Sequence, residues 1–193
     1  MPTIGLDTKS KILKTAKDII GREGHLNVTT REIAQQAQVN VAAINYHFGS
    51  KDNLIEQVEK GFVGDIKEIY LVLHDESLQP RDRIWEWADA LMVHLLEHPG
   101  ILFMWGSKVI GNSPKDDGIS GLIDYSEAKL IRIIKETACH EDDIQISFKV
   151  MQLISSVISP VLIYESGGRS LSINIKDDEM RRQYIDTIID SIL

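Results

Sequence analysis

The chain has 193 residues, and its 21 Lys and Arg against 29 Asp and Glu give a formal net charge of −8 at pH 7. This length allows a substantial core in about one to one and a half domains. The single cysteine, Cys139, excludes an internal disulfide and suits a reducing compartment. Residues 1–11 lack the apolar run of a signal peptide, and no stretch approaches the roughly 20 apolar residues of a membrane span. We therefore predict a cytoplasmic protein without a membrane segment.

A first helix is predicted to end before Gly24, because glycine is favoured directly after a helix C-terminus. Its apolar residues recur at helical spacing, which predicts one face packed in a core. They are Ile12, Leu13, Ala16, Ile19 and Ile20.

Two short helices are predicted next. Thr29 followed three residues later by Glu32 is a capping box that begins the first of them. After a tight turn at residues 38–39, Asn40 is placed to cap the second. Two helices joined in this way form a helix-turn-helix unit, whose second helix enters the DNA major groove. Apolar residues of both helices would form its small core: Ile33, Ala34, Val39, Ile44 and Phe48.

This segment resembles the DNA-binding domain of the tetracycline-repressor (TetR) family of bacterial transcription regulators. In that family a helix ending in Gly precedes a Thr-capped Arg-Glu-Ile-Ala helix. The recognition helix then closes on an aromatic-rich stretch followed by Ser-Lys-Asp/Glu-x-Leu. The corresponding residues are Gly24, 29–34 (TTREIA), Val39, 45–48 (NYHF) and 50–54 (SKDNL). The resemblance implies a homodimer that binds a palindromic operator and responds to a small molecule.

Two residues depart from the family pattern. Gln38 stands where the family usually has Gly, and a left-handed backbone there would cost Gln roughly 1 kcal/mol. Asn45 stands where an aromatic residue is commoner. The base preference of other members therefore does not transfer to this chain.

The charge of the chain is divided unevenly. Residues 1–60 hold eight Lys and Arg against seven Asp and Glu, whereas residues 61–193 hold 13 against 22. Attraction to phosphates can therefore come only from the N-terminal part, and the acidic body would be held away from the duplex. With few cationic contacts in each subunit, we expect binding to depend on two subunits.

Roles can be assigned within the DNA-binding unit. Thr30, Tyr46, His47 and Lys51 resemble the phosphate-contacting positions of the family. Other residues of the unit are better placed toward base edges, where Asn can bond adenine and Arg can bond guanine. Small residues such as Ala42 could equally serve only to allow close approach. The full set of candidate DNA-binding residues is Thr30, Arg31, Asn40, Val41, Ala42, Asn45, Tyr46, His47 and Lys51.

The remainder of the chain also follows helical patterns. Ser50 is placed to cap a long helix in which Gly61 and Gly64 are candidate bend points. Pro80 is placed to open the next helix and Pro99 to stop it. The run at residues 170–175 is interpreted as a loop. The sequence therefore predicts an all-α protein with a three-helix DNA-binding domain at 1–48 and a larger ligand-binding and dimerisation domain at 49–193.

A segment from about Asp142 to Tyr164 has two apolar stripes, and a helix apolar on two faces must bury both. One stripe would pack in the subunit core and the other against a second subunit, with Pro160 expected to kink the helix. The alternative is a helix buried centrally in a monomer. The candidate dimer-interface residues in this segment and the last helix are Val157, Val161, Ile188 and Ile192.

An effector pocket is predicted from aromatic and methionine side chains in segments that enclose the pocket of the resembled family. Such side chains suit an adaptable apolar cavity, although ordinary core packing is favoured for any one of them taken singly. No charged pair stands out among them, which favours an apolar or aromatic effector. The candidate pocket residues are Trp87, Met92, Phe103, Trp105, Tyr125 and Met151.

Signals for other functions are weak. His94 and His98 could form half of a zinc site, but many ordinary helices share this spacing, and no HExxH or cysteine pair accompanies them. No phosphate-binding loop or nucleophile motif is present, so we predict neither a metal nor a cofactor. We predict a repressor released from its operator by a small molecule. The alternatives are an activator, a regulator controlled by a protein partner, or an all-α enzyme such as a metal-dependent hydrolase.

Overall fold

The computed structural model describes residues 7–23, 28–110, 118–137, 142–167 and 173–193. The regular elements in these ranges are all helical, as predicted from the sequence. They are α1 (Thr8–Glu23), α2 (Thr30–Gln36), α3 (Val41–Phe48), α4 (Lys51–Ile69), a 3-10 helix (Tyr70–His74), α5 (Pro80–Glu97), α6 (Gly100–Ile110), α7 (Gly118–Thr137), α8 (Asp143–Glu165) and α9 (Asp178–Ile192).

Helix boundaries follow the local signals of the sequence. Ser50 accepts a hydrogen bond from the backbone N–H of Asn53, and α5 begins at Pro80 as predicted. Asp142 forms a complete capping box with Gln145 at the start of α8. The helix α8 contains Pro160 and continues to Glu165. Gly24, Cys139 and the first half of the 170–175 run lie outside the described residues.

The chain divides into two compact units. One contains the chain up to Gly64 together with 98–113, and the other contains 65–97 and the chain from Pro114 onward. The division therefore falls inside α4, after Gly64, rather than near Gly49. The first half of α4 belongs to the N-terminal unit because its apolar stripe is buried there: Leu54, Val58 and Phe62.

The N-terminal unit is packed around α1, which contacts α2, α3 and α6. Close packing is clearest at Gly21, which is buried. A Cβ atom added there would lie 3.2 Å from the ring of Phe62 and 3.3 Å from that of His98. Only glycine fits this position without displacing its neighbours. The N-terminal helices and the start of α6 therefore share one core.

The second unit is built around α5, which packs against α7, α8, α9 and the 3-10 helix. Among the described residues of this unit two arginines are buried, and both are paired. The guanidinium of Arg83 bonds the Glu136 carboxylate at 2.5 Å and the Leu73 carbonyl at 3.2 Å. Arg181 bonds Asp89 at 2.7 Å, which ties α9 to α5. Each buried charge thus has the partner that burial requires.

The structure corrects the predicted set of dimer-interface residues. All four are buried within the subunit, so none lies on a surface that a second subunit could cover. Their exposed fractions are 0% for Val157, 0% for Val161, 7% for Ile188 and 5% for Ile192. This stripe of α8 faces the subunit core because α5, α7 and α9 all pack against the helix.

The other apolar stripe of α8 is the exposed one. Ile144, Phe148 and Met151 are 64%, 59% and 65% exposed, and Leu162 is 49% exposed. Contrary to the expectation from the sequence, α8 is long and apolar enough to cross a membrane, and 28% of its most apolar 18-residue window is buried. A single such helix is a weak indication, because a helix that packs on two sides has the same composition. The stripe is an apolar surface of the unit.

Candidate DNA-binding site

Side-chain caps fix where the two helices of the helix-turn-helix unit begin. Thr29 Oγ1 accepts from the Glu32 N–H at 3.1 Å, as the capping-box motif predicts. Asn40 Oδ1 accepts from the Ala43 N–H at 2.7 Å. Each cap satisfies a backbone donor that has no partner within its own helix. The recognition helix α3 therefore starts at Val41, and its outward positions are set.

The turn between α2 and α3 is left-handed at Gln38, whose φ is +52°. The backbone N–H of Val39 closes this turn on the carbonyl of Ala34 at 2.9 Å. A side chain with a Cβ atom costs roughly 1 kcal/mol in this conformation. The predicted strain at the position where the resembled family has Gly is therefore present.

A small core beneath the turn holds α2 and α3 together. Ile33 and Ile44 are fully buried, Ala34 and Phe48 are 3% and 2% exposed, and Val39 is half-buried. These are the residues that the helical spacing assigned to packing. Because they occupy the inner face of α3, the remaining positions of this helix must point away from the core.

The outer face of α3 presents four of the candidate DNA-binding residues. Val41, Ala42, Asn45 and Tyr46 are exposed, and Tyr46 reaches 85% exposure. A tyrosine so exposed in the free protein is unusual, since aromatic side chains normally bury most of their surface. The other candidates surround this face: Arg31 and Asn40 are exposed, and Thr30, His47 and Lys51 are half-buried.

Tyr46 and His47 also contact each other. Their ring centroids lie 5.1 Å apart in an edge-to-face arrangement. On the neighbouring α1, Lys9 lies over the Phe48 ring at 5.9 Å. The Ser10 backbone N–H donates to the Asp7 carboxyl, and this hydrogen bond holds the pKa of Asp7 below the usual range. Cationic and aromatic groups therefore stand together at the C-terminal end of α3.

One residue of this site was missed from the sequence. Asn53 Nδ2 donates to the carbonyl oxygen of Phe48 at 2.7 Å, which joins the end of α3 to the start of α4. Helix C-termini leave carbonyls without partners, and Gly49, with φ +76°, ends α3 there. The signal available in the sequence was an amide side chain in the first turn of a helix, three residues after its cap Ser50 and four after the helix-ending Gly49.

The predicted effector-pocket residues belong to both compact units. Trp87 and Met92 are fully buried in the second unit, and Tyr125 is half-buried there. Trp105 is half-buried in the N-terminal unit. The structure corrects the prediction for Phe103 and Met151. These residues are 58% and 65% exposed, so they face solvent and line no enclosed pocket.

The histidines considered for zinc binding have other neighbours. His94 Nε2 lies 3.9 Å from Asp65 Oδ2, and the His98 ring packs edge-on against Phe62 at 5.7 Å. Within the described ranges, no group of three or more His, Cys, Asp or Glu residues is arranged to hold a metal ion.

Comparisons with known proteins agree with this geometry. Residues 12–58 match the sequence model of the family described as "Bacterial regulatory proteins, tetR family". Over 86 residues the chain is 29% identical to the HTH-type transcriptional regulator BetI of Rhizobium meliloti (strain 1021), covering 44% of this chain and 42% of BetI. Over 50 residues it is 48% identical to the dual regulator CecR of Shigella flexneri, covering 26% of this chain and 22% of CecR. These matches thus span less than half of each relative.

The whole fold is also shared with a solved structure. A TetR transcriptional regulator from Legionella pneumophila superimposes with a TM-score of 0.76 at 20% identity, covering 99% of this chain and 100% of that one. At this identity the likeness establishes the fold. The sequence match, by contrast, falls on the helix-turn-helix and its capped helices. Residues 12–58 therefore match the helix-turn-helix domain of the TetR family of bacterial regulatory proteins.

Proposed function

We propose that this protein is a homodimeric transcriptional repressor that binds a near-palindromic operator in the cytoplasm and is released by a small molecule. The observation that carries the proposal is the outer face of α3. Its exposed Asn45 and Tyr46 stand on a helix whose start, inner face and end are all fixed. A rigid helix with exposed polar and aromatic groups suits base reading in a major groove.

The dimer is supported by the exposed stripe of α8, defined by Ile144, Phe148, Met151 and Leu162. Contiguous apolar surface on a water-exposed helix favours association. A two-fold dimer is the commonest oligomer and matches the symmetry of a palindromic site. We therefore place the interface on this stripe rather than on the buried residues named from the sequence.

Release by an effector would act on the spacing of the two recognition helices. They must lie about 34 Å apart to enter successive major grooves on one face of the duplex. A ligand that favours a different spacing lowers operator affinity, and by linkage the operator lowers ligand affinity by the same factor. We expect this coupling to be about 1–3 kcal/mol.

A gel-shift titration with DNA flanking the protein's own gene tests DNA binding. Lys51→Ala should weaken binding to every sequence and lower the salt slope by about one unit, because Lys contacts phosphate. Asn45→Ala should cost roughly 1–3 kcal/mol on the operator and little on random DNA, because Asn reads a base edge. Each variant serves as the control for the other.

The outcomes separate the alternatives. Equal loss of specific and random binding in Asn45→Ala would contradict the assigned roles. Absence of binding to any upstream DNA would contradict the regulator and favour an enzyme. A promoter that becomes more active when the bound protein is supplied would identify an activator instead of a repressor.

A further inference from the structure

The indole N–H of Trp87 is a buried donor without an acceptor. The Trp87 side chain is fully buried in α5, and its Nε1 has no hydrogen-bond partner among the described residues. Leaving a buried donor unpaired costs free energy, so native structures rarely do it without a reason. A ligand that supplies the missing acceptor is one such reason.

Polar groups from two other helices surround this donor. The Tyr70 ring lies 5.4 Å from that of Trp87 and 6.2 Å from that of Tyr125. Ser126, on α7, is only 7% exposed. The Tyr70 hydroxyl faces both Ser126 and Trp87, although the indole N–H does not reach hydrogen-bond geometry with it. These three polar groups thus lie close together in the core of the second unit.

Tyr70 stays neutral in this setting. Burial raises the pKa of its hydroxyl to about 12, and the hydrogen bond with Ser126 and the nearby indole N–H oppose this rise only partly. A neutral hydroxyl can donate to an acceptor, as can Ser126 and the indole N–H. The three groups, which we call the donor cluster (Tyr70, Trp87 and Ser126), are therefore suited to an oxygen-rich acceptor.

Positive charge lies beside the donor cluster. The ammonium groups of Lys67 and Lys129 lie 5.8 and 5.0 Å from the Tyr125 ring centroid. On the 3-10 helix, burial first and then the charges of Lys129 and Arg132 lower the pKa of His74. The His74 Nε2 is also buried without a hydrogen-bond partner among the described residues. Cationic side chains of α4 and α7 therefore lie near the 3-10 helix, and Glu136 acts against them at His74.

We propose that the donor cluster binds the carboxylate of the effector, which is an organic acid with an apolar or aromatic body. This inference rests on the proposed effector-responsive function and narrows its ligand class. A carboxylate accepts several hydrogen bonds at once, and charge assistance makes them stronger than those to a neutral carbonyl. The apolar body would lie against the surrounding aromatic rings, and the lysines would attract the acid from solution.

Calorimetric titration with matched compounds tests the ligand class. The probes are benzoate, phenylacetate, octanoate and decanoate, each beside its primary amide and primary alcohol. We expect at least one acid to bind about tenfold or more tightly than its amide, and the alcohol to bind most weakly. Equal affinity of an acid and its amide, or absence of binding by every acid, would overturn the proposal.

Nuclear magnetic resonance of the indole N–H groups tests the contact itself. The chain has three Trp residues, so single Trp→Phe variants assign their signals. We expect the bound acid to shift the Trp87 N–H proton downfield and to leave that of Trp85 nearly unchanged. An unmoved Trp87 signal at saturating acid would overturn the proposal.

Variants complete the test. Trp87→Phe and the smaller change Tyr70→Phe should each weaken acid binding about tenfold, because each removes a donor. Trp85→Phe is the matched control, since the Trp85 ring is half-buried under Arg182 at 5.2 Å. A gel shift with the same acid is scored separately. If the acid binds only when Trp87 is present but leaves operator affinity unchanged, effector release is refuted and the carboxylate site is not. If a neutral compound releases the protein from its operator and the Trp87→Phe variant responds equally, the carboxylate proposal is refuted and effector release is not.

Discussion

The side-chain amide of Asn53 donates to the backbone carbonyl of Phe48 across 2.7 Å. The backbone N–H of Asn53 donates to the Ser50 hydroxyl at 3.1 Å. One residue in the first turn of α4 therefore satisfies the last turn of α3 and receives the cap of its own helix. The angle between the recognition helix and α4 depends on this double contact.

We expect Asn53→Ala to lower the free energy of unfolding by about 1 kcal/mol, since it removes one net hydrogen bond. It should also weaken operator binding, because α3 loses a constraint at its C-terminal end. Lys60→Ala is the control, as Lys60 makes only an exposed ion pair with Glu56 in the same helix. Chemical denaturation and gel shift measure the two effects. Equal behaviour of both variants would show that the amide contact contributes nothing.

Gln38→Gly should stabilise the protein by up to about 1 kcal/mol, because glycine adopts the left-handed conformation without a Cβ penalty. The gain is partly offset by the greater freedom of glycine in the unfolded chain. Gln38→Ala is the matched control, since alanine keeps the Cβ atom and loses only an exposed side chain. Thermal or urea unfolding compares them. If the Gly variant were no more stable than the Ala variant, backbone strain would not be significant at this turn.

Charges placed on the two faces of α8 should have different effects. Phe148→Glu, on the exposed stripe, should give folded monomers that no longer shift operator DNA. Val157→Glu should instead unfold the subunit, because an unpaired charge would be buried in its core. Sedimentation and circular dichroism separate the two outcomes.

The control for this pair is Ala128→Glu on the exposed surface of α7, which should remain a folded dimer. Folded dimers of Phe148→Glu would place the interface elsewhere. Folded monomers of Val157→Glu would contradict the core position of that residue.

Stability should fall at high pH through Tyr70. Its folded-state pKa is raised to about 12 by burial, above the unfolded value near 10. The neutral form is thus favoured by folding, so this contribution is complete below about pH 10 and is lost as the pH rises toward 12. Absorbance titration of tyrosinate should show Tyr70 ionising late, and Tyr70→Phe should remove that late step. A titration in which all tyrosines ionise near pH 10 would contradict this expectation.

Local features of the helix-turn-helix unit were predictable from the sequence because they depend on residues that are close together in the chain. The caps at Thr29 and Asn40, the strained turn at Gln38 and the first residue of α5 each follow from a side chain and its close neighbours. The small core followed from helical spacing alone. Short-range chemistry is therefore enough to identify the helix-turn-helix.

Features that depend on distant packing could not be predicted in this way. Both stripes of α8 are similarly apolar, and only the positions of α5, α7 and α9 decide that Val157 is inside and Phe148 outside. The unit boundary within α4 has the same origin. The donor cluster of Tyr70, Trp87 and Ser126 comes from three separate elements, so no local pattern indicates it.

The cap at the start of α3 also restricts what that end of the helix can read. The Asn40 amide oxygen accepts from the Ala43 N–H, and this hydrogen bond fixes the direction of the whole side chain. A bidentate match to adenine needs an acceptor and a donor of the same amide aimed at one base edge. Because the oxygen is turned toward its own helix, the NH2 group is the part of Asn40 better placed to meet a phosphate or a base edge. We therefore expect discrimination between bases to depend on positions further along the helix.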